Sequence, residues 1–296
     1  MKLLFSNNHL CNFGGSELVT IELAEHYAGL GHDVTLYSPA ISPEILFSLR
    51  HRDKIKLTLD APDNLTEYDI VWSHHGLLID QINRKTKKHY QLIISNHMSS
   101  YLDLEKPKFA AGHVDRIYAN SMETARTFPD ELFTQTKLFQ NPSPECTVLK
   151  GPSRRVPLGL SISNHRPADL LSFMLEHQHL VDFKVYGLGT DNFTRFSANV
   201  ARETNADFII CNGKSVNYAL RAEIPVYIYD HFGGCGWLTE ENFDVAEYYN
   251  FSGRGFSNPP DLKTILDFDK QTPIEMTEIR KNKFFLERRL IELGLV

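Results

Sequence analysis

The chain has 296 residues, 42% of them hydrophobic and 23% charged, with a formal net charge of -6. That length suits two α/β halves or one large one, and the apolar fraction is well above that of disordered chains. The negative balance argues against a general nucleic-acid binder, which needs a basic surface to displace phosphate counterions.

Cys11, Cys146, Cys211 and Cys235 are scattered and form no C-x-x-C pair, so neither a disulfide framework nor a zinc site is expected and a reducing cytosol fits. No H-E-x-x-H or comparable spacing suggests a catalytic metal. The N-terminal Leu3-Leu4-Phe5 turns polar at once, too short for a signal segment. With no apolar run of about 18 residues, the chain is not expected to span a membrane.

Short apolar runs alternate with helical patterns from the start. Leu3-Leu4-Phe5 reads as a strand and Ser16 to Leu30 as a helix with Leu23, Tyr27 and Leu30 on one face, closed by Gly31. Further strands are expected at Val34 to Tyr37, Ile55 to Leu59, Ile70 to Trp72, Leu92 to Ile94, Ile117 to Ala119 and Lys137 to Phe139. Proline, glycine and serine then break the periodicity between Asn141 and Ser153, which suits a linker. The pattern restarts with strands at Val156 to Ile162, Phe183 to Tyr186, Phe208 to Ile210 and Val226 to Tyr229. Helices are expected at Ala168 to Glu176, Phe193 to Glu203, Ser215 to Arg221 and Glu240 to Tyr249. The expected organisation is a Rossmann-like domain at 1–150, a second at 151–273, and one C-terminal helix within 274–296 packing back on the first domain. The fold class is α/β, with two Rossmann-like domains facing across a cleft.

In open parallel sheets, ligands bind beyond the carboxyl ends of the strands. Here those ends are polar: Asn7-Asn8-His9, His74-His75, Ser95-Asn96-His97 and Asn120-Ser121, then Ser163-Asn164-His165, Asn212 to Ser215 and Asp230-His231. Gly14 and Gly15 stand directly before a helix, where free N–H groups attract negative charge or hydroxyls, with Ser16 as a cap in the bland alternative. Gly213-Lys214-Ser215 open another helix, an arrangement for holding a diphosphate by amides, a lysine charge and a hydroxyl. Asp230 to Trp237 reads as a glycine-rich loop with room for a sugar ring, leading through Thr239 to a helix whose Glu240 and Glu241 could accept hydroxyl hydrogen bonds. Arg254, flanked by glycines, suits a phosphate. The basic run Arg84-Lys85-Thr86-Lys87-Lys88, with Arg50, Arg52, Lys54 and Lys56, is either a solvated face or a contact with anionic lipid.

Gly14-Gly15-Ser16-Glu17, Leu23-Ala24 and Gly29 to Thr35 resemble the G-G-x-E … L-A … G-H-x-V-T opening of GT-B glycosyltransferases. Ser163 to Pro167, Gly213 to Leu220, Ile224 to Gly234 and Asn250 to Phe256 resemble a bacterial surface-polysaccharide branch of that superfamily, similar to family 4. The resemblance implies transfer of a sugar from a nucleotide-sugar donor to a hydroxyl of a saccharide or lipid-linked acceptor, without metal or cofactor. It implies donor contacts at His165, Arg166, Gly213, Lys214, Ser215, Gly233 and Gly234, which Glu241 and Arg254 extend. Acceptor contacts are expected at Gly14, Gly15, Ser16 and His74. If configuration inverts, Glu17 and His97 are the candidate bases. The E-x7-E motif of many retaining members is absent from its usual place. An epimerase of the same fold and a non-catalytic nucleotide-sugar-binding subunit are the alternatives. No nucleic-acid partner is expected, and the location expected is the cytoplasm, with peripheral contact at the inner face of the membrane.

Overall fold

The computed structural model describes residues 1–79, 91–152 and 154–296. The chain divides into two compact units, Met1–Gln140 and Asn141–Val296. The division falls at the start of the proline-, glycine- and serine-rich segment rather than at its end.

The first unit is built on a seven-stranded sheet in the order β3-β2-β1-β4-β5-β6-β7. Its strands are β1 (Lys2–Ser6), β2 (Asp33–Tyr37), β3 (Ile55–Thr58), β4 (Ile70–His74), β5 (Leu92–His97), β6 (Arg116–Ala119) and β7 (Thr136–Leu138), and every pair is parallel. The central β1 and β4 are buried along most or all of their length, as expected of a parallel sheet covered on both faces. Trp72 is fully buried among Phe5, Tyr118 and Phe139, with ring centroids 5.1–6.2 Å away. The helices described in the first unit are α1 (Gly15–Gly29), α2 (Pro43–Ser48), α3 (Met122–Ala125) and α4 (Asp130–Phe133). Helix α1 ends as predicted, with Gly31 at φ +84° and its N–H on the Ala28 carbonyl. It is not a one-faced helix, however. Leu23 and Tyr27 are buried, Leu30 is exposed, and Glu17, Thr20, Glu22 and Glu25 on other faces are buried too. The sheet and the chain around Arg50, whose N–H donates to Glu25, cover it from several sides.

The second unit carries a five-stranded sheet, β12-β11-β10-β8-β9. Here β8 (Leu158–Ile162), β9 (Asp182–Tyr186), β10 (Phe208–Cys211) and β11 (Val226–Asp230) are parallel, and β12 (Gly233–Trp237) is antiparallel to β11. The stretch expected to be a glycine-rich loop is therefore a strand. The reason is close packing: a Cβ on Gly234 would lie 2.0 Å from the Ile228 carbonyl oxygen. The helix after it, α8 (Phe243–Tyr248), is shorter than expected, because the Asn242 amide caps the preceding turn by binding Thr239 N–H and the Trp237 carbonyl.

The remaining helices of the second unit are α5 (Ala168–Glu176), α6 (Ala198–Glu203) and α7 (Lys214–Ala222), then α9 (Glu278–Phe284) and α10 (Leu286–Glu292). The expected single C-terminal helix is thus two. Phe285 between them is extended (φ −99°, ψ 121°) because its neighbours bond to Ser143 as a strand would: Ser143 N–H donates to Phe284, and Leu286 N–H to Ser143. Phe284 packs on Phe243 and Phe251, so this segment belongs to the second unit. The basic run Arg84 to Lys88 lies outside the described residues, and no helix among those described is long and apolar enough to cross a membrane.

Candidate active site

At the carboxyl edge of the first sheet, the end of β1, the ends of β4 and β5 and the first turn of α1 hold a group of polar side chains. Asn7 Nδ2 donates to Thr20 Oγ1 (2.9 Å), and Thr20 gives its own hydrogen to the Ser16 carbonyl (2.7 Å). Thr20 Oγ1 can then only accept from His74 Nδ1, 2.9 Å away, which leaves His74 Nε2 facing the Asn96 amide at 3.5 Å. His74 is wholly buried, and burial pushes its pKa down to about 3. Expected to touch an acceptor, it instead ties α1 to the sheet as a neutral ring.

His97 departs from expectation in the same way. Its Nδ1 is 2.6 Å from the Glu105 carbonyl and must donate, so Nε2 accepts from the Ser95 hydroxyl at 2.8 Å. Both nitrogens are used, no part of the residue reaches solvent, and burial lowers its pKa to about 4. A ring so placed has no lone pair for a substrate proton. It anchors the turn that carries Glu105.

Glu17 is different. Gly14 precedes α1 without a side-chain cap, and the Glu17 carboxylate folds back over the first turn, taking hydrogen bonds from its own main-chain N–H and from the Ser16 hydroxyl (2.8 Å). The lack of a side chain at Gly14 makes room for it: a Cβ there would stand 2.6 Å from Glu17 Oε2. Oε1 lies 3.3 Å from Nε2 of His9, whose side chain is half exposed. Burial raises the Glu17 pKa, opposed by those two hydrogen bonds and by His9. Glu105, which no sequence motif marked, closes the group. Burial first, then the Glu17 charge, raise its pKa to about 7, against a hydrogen bond from Ser99. Its Oε2 is 3.5 Å from His75 Nδ1. A short turn at Asp103–Glu105 brings it here, eight residues beyond His97, and that spacing is no motif.

In the second unit the carboxyl ends of β8, β10 and β11 form another polar edge. Gly213, at φ +55°, precedes α7 and is held by its N–H to the Phe251 carbonyl (2.8 Å), with Asn250 and Phe251 themselves at positive φ. Asn212 donates to Asp230, whose other oxygen accepts from both the N–H (2.6 Å) and Nδ1 (2.8 Å) of His231. The His231 ring lies edge-on to His165 (centroids 5.2 Å) and against Phe232 (3.8 Å), over which the Arg254 guanidinium sits at 4.9 Å. So His165, Gly213, Gly233 and Arg254 gather around one edge, with Ser215 half-buried in the first turn of α7. Three expected donor contacts face elsewhere. The buried Lys214 ammonium donates to the Pro142 carbonyl and lies over Tyr218, the half-buried Arg166 braces Ser161 and the Tyr186 carbonyl (2.9 Å), and Gly234 serves the β11–β12 packing. Glu241 is exposed ahead of α8. Among the described residues no cluster of three or more metal-ligating side chains occurs.

No family model matches the chain, and no curated protein matches it in sequence. Solved structures do. HepE (Alr3699) of Anabaena, in complex with UDP and glucose, is similar at a TM-score of 0.57 and 14% identity, covering 100% of this chain and 99% of that one. An alpha-glucosyltransferase in complex with UDP and a 13-mer DNA is similar at a TM-score of 0.52 and 10% identity, over 99% and 100% of the two chains. The chain has the GT-B fold. Its two Rossmann-like units are those of a GT-B protein, and both polar edges lie where parallel sheets of this kind present ligand-binding loops.

Proposed function

We propose that this protein is a glycosyltransferase that moves a sugar from a nucleotide-sugar donor to a hydroxyl of a saccharide acceptor, free or lipid-linked. The observation that carries the reading is the Glu17 carboxylate, held at the carboxyl edge of the first sheet with one oxygen on the α1 turn and the other toward half-exposed His9. A buried carboxylate of raised pKa is the group needed to take a proton from an alcohol as it attacks. The whole-length likeness to HepE, a structure that holds UDP and glucose, supports the class of substrate.

In this reading the acceptor oxygen bonds to the anomeric carbon while the bond from that carbon to the diphosphate breaks. Glu17 receives the hydroxyl proton. The departing diphosphate keeps the electron pair, and its charge is met by the first-turn amides of α7 behind Gly213, by Ser215 and by Arg254, with His165 beside them. Gly14, Gly15 and Ser16 line the acceptor side. Lys214 acts through its place in the α7 turn, since its ammonium is turned inward.

Thermal melting with a panel of UDP-, GDP-, ADP- and TDP-sugars tests the donor class. One of them at 100 times its Kd adds about 2.7 kcal/mol to the native state. A panel without any shift would remove the nucleotide sugar from this reading, and a stabilising donor never hydrolysed or transferred would reduce the protein to a binder.

Gly14→Ala separates catalysis from folding. The atoms in the way belong to the flexible end of Glu17, so stability should fall by no more than about 1 kcal/mol, the scale of a helix-cap change. Turnover should fall roughly 10- to 100-fold, as the displaced carboxylate no longer meets the hydroxyl. Unchanged turnover would show that the Glu17 position is immaterial.

A further inference from the structure

His165 and His231 approach the carboxyl edge of the second sheet from two sides. They follow β8 and β11, the strands that flank β10, and their rings meet edge to face with centroids 5.2 Å apart. The pair therefore brackets the end of β10, where Asn212 and Gly213 lead into α7. Of the two rings, His231 has its direction fixed. Its Nδ1 lies 2.8 Å from Oδ1 of Asp230, and a carboxylate oxygen only accepts, so Nδ1 carries a hydrogen and donates it. Asp230 is buried and held in turn, its other oxygen taken by the Asn212 amide, and Phe232 lies against the His231 ring at 3.8 Å. Nε2 of His231 has no hydrogen-bond partner among the described residues, and the side chain is 43% exposed. A ring braced on its inner side with its outer nitrogen unused is pre-organised for a ligand.

We propose that Nε2 of His231 hydrogen-bonds one hydroxyl of the donor sugar, which makes His231 a residue that selects the sugar. The inference rests on the nucleotide-sugar reading given above. In that reading the diphosphate lies at the first-turn amides of α7, and the sugar, bonded directly to it, must lie next to the same turn. Asp230 holds the amide of Asn212, two residues ahead of α7, and so places the His231 ring beside that position. The chemistry then chooses the ligand atom. A phosphate oxygen only accepts, so it pairs with Nε2 solely when the ring carries both hydrogens, and the Asp230 carboxylate behind the ring repels it. A hydroxyl gives a hydrogen to the bare nitrogen or takes one from the protonated ring, and so pairs in both states.

The hydroxyl stays on the sugar, and His231 makes no covalent bond and moves no proton during transfer. Its effect is on selection at one position of the sugar ring. A donor without that hydroxyl forfeits one hydrogen bond, about a 3- to 10-fold loss of affinity, while a donor deoxygenated elsewhere loses nothing through His231.

Calorimetric titration of the full-length protein with UDP, UDP-glucose and the four analogues of UDP-glucose deoxygenated at a single sugar hydroxyl tests this without requiring turnover. In the wild type one analogue should bind about 3- to 10-fold more weakly than UDP-glucose. His231→Phe keeps a ring to pack on Phe232 and keeps the main-chain N–H on Asp230, so the edge should survive. It should bind UDP-glucose more weakly by the same factor and no longer tell it from that analogue, while UDP binds both proteins alike. His231→Gln, whose amide can reach the place of Nε2, should restore part of the discrimination. A His231→Phe protein that still discriminates overturns the contact, as does a wild type that binds UDP-glucose and all four analogues equally. Equal weakening of UDP and UDP-glucose also overturns it, giving the ring to the nucleotide instead. No binding of UDP-glucose overturns the inference as well, and the thermal panel then decides the wider reading by itself. Sugar transfer without the discrimination leaves the glycosyltransferase reading standing, whereas the expected pattern in a protein that transfers nothing overturns that reading alone.

Discussion

Glu17→Gln is expected to slow sugar transfer by about 10²- to 10⁴-fold, the range a positioned general base contributes, with little change in donor affinity. Gln keeps the shape and can still accept from the Ser16 hydroxyl and the first-turn N–H, so the fold and the α1 start should survive. What disappears is the group that takes the acceptor proton. Because Glu17 sits in the first unit and the donor contacts proposed lie in the second, kcat should fall while the donor-induced thermal shift remains. Equal loss of both would point to a folding defect; near-normal kcat would take the base role away from Glu17. His97 is the instructive comparison. It too is a candidate base by its place in the first domain, but a ring with both nitrogens committed and no exposure is a brace for the Glu105 turn.

Gly234→Ala is expected to be the most damaging small substitution in the second unit. The added methyl would meet the Ile228 carbonyl oxygen at 2.0 Å and Tyr229 Cα at 2.9 Å, all main chain of the paired strand β11, so no side-chain movement relieves it. The β11–β12 pairing is already irregular between Ile228 and Asp230, and pushing the strands apart there also disturbs Asp230, which holds Asn212 and His231. A cost of about 2–4 kcal/mol follows from overpacking against backbone that cannot yield. At roughly 2–4 °C per kcal/mol for a unit of this size, melting should drop by about 5–15 °C. A variant that melts with the wild type would mean that Gly234 is there for the donor sugar and not for the sheet.

How far the site could be read in advance follows from the kind of signal each residue left. Glycines before helices leave a local mark, and Gly14 and Gly213 both stand where the motifs put them, ahead of α1 and α7. Strand ends are also local, and His9, His74, His75, His97, Asp230 and His231 were all marked as polar strand ends. Their roles were not local. Whether a histidine is a base or a brace depends on where both nitrogens point, and that is decided by partners such as Thr20, Ser95 and the Glu105 carbonyl. Lys214 shows the same limit: its position in the helix turn is legible, while its ammonium goes to the carbonyl of Pro142, 72 residues earlier in the chain. Glu105 left no trace, because a short turn after a strand carries no periodicity and no fixed spacing.

By itself the sequence determined the α/β class, the alternation of strands and helices in both halves, and the loops that end at the sheets' carboxyl edges, since periodicity, caps and glycine positions act over a few residues. Only the tertiary structure decided that β12 pairs antiparallel to β11, that the C-terminal segment breaks at Phe285, and which buried carboxyls and imidazoles face one another. The break at Phe285 and the meeting of His75 with Glu105 rest on contacts between segments far apart in the chain, as in the backbone hydrogen bonds that join Phe284 and Leu286 to Ser143, while the β11–β12 pairing depends on a close backbone approach that only glycine allows at Gly234.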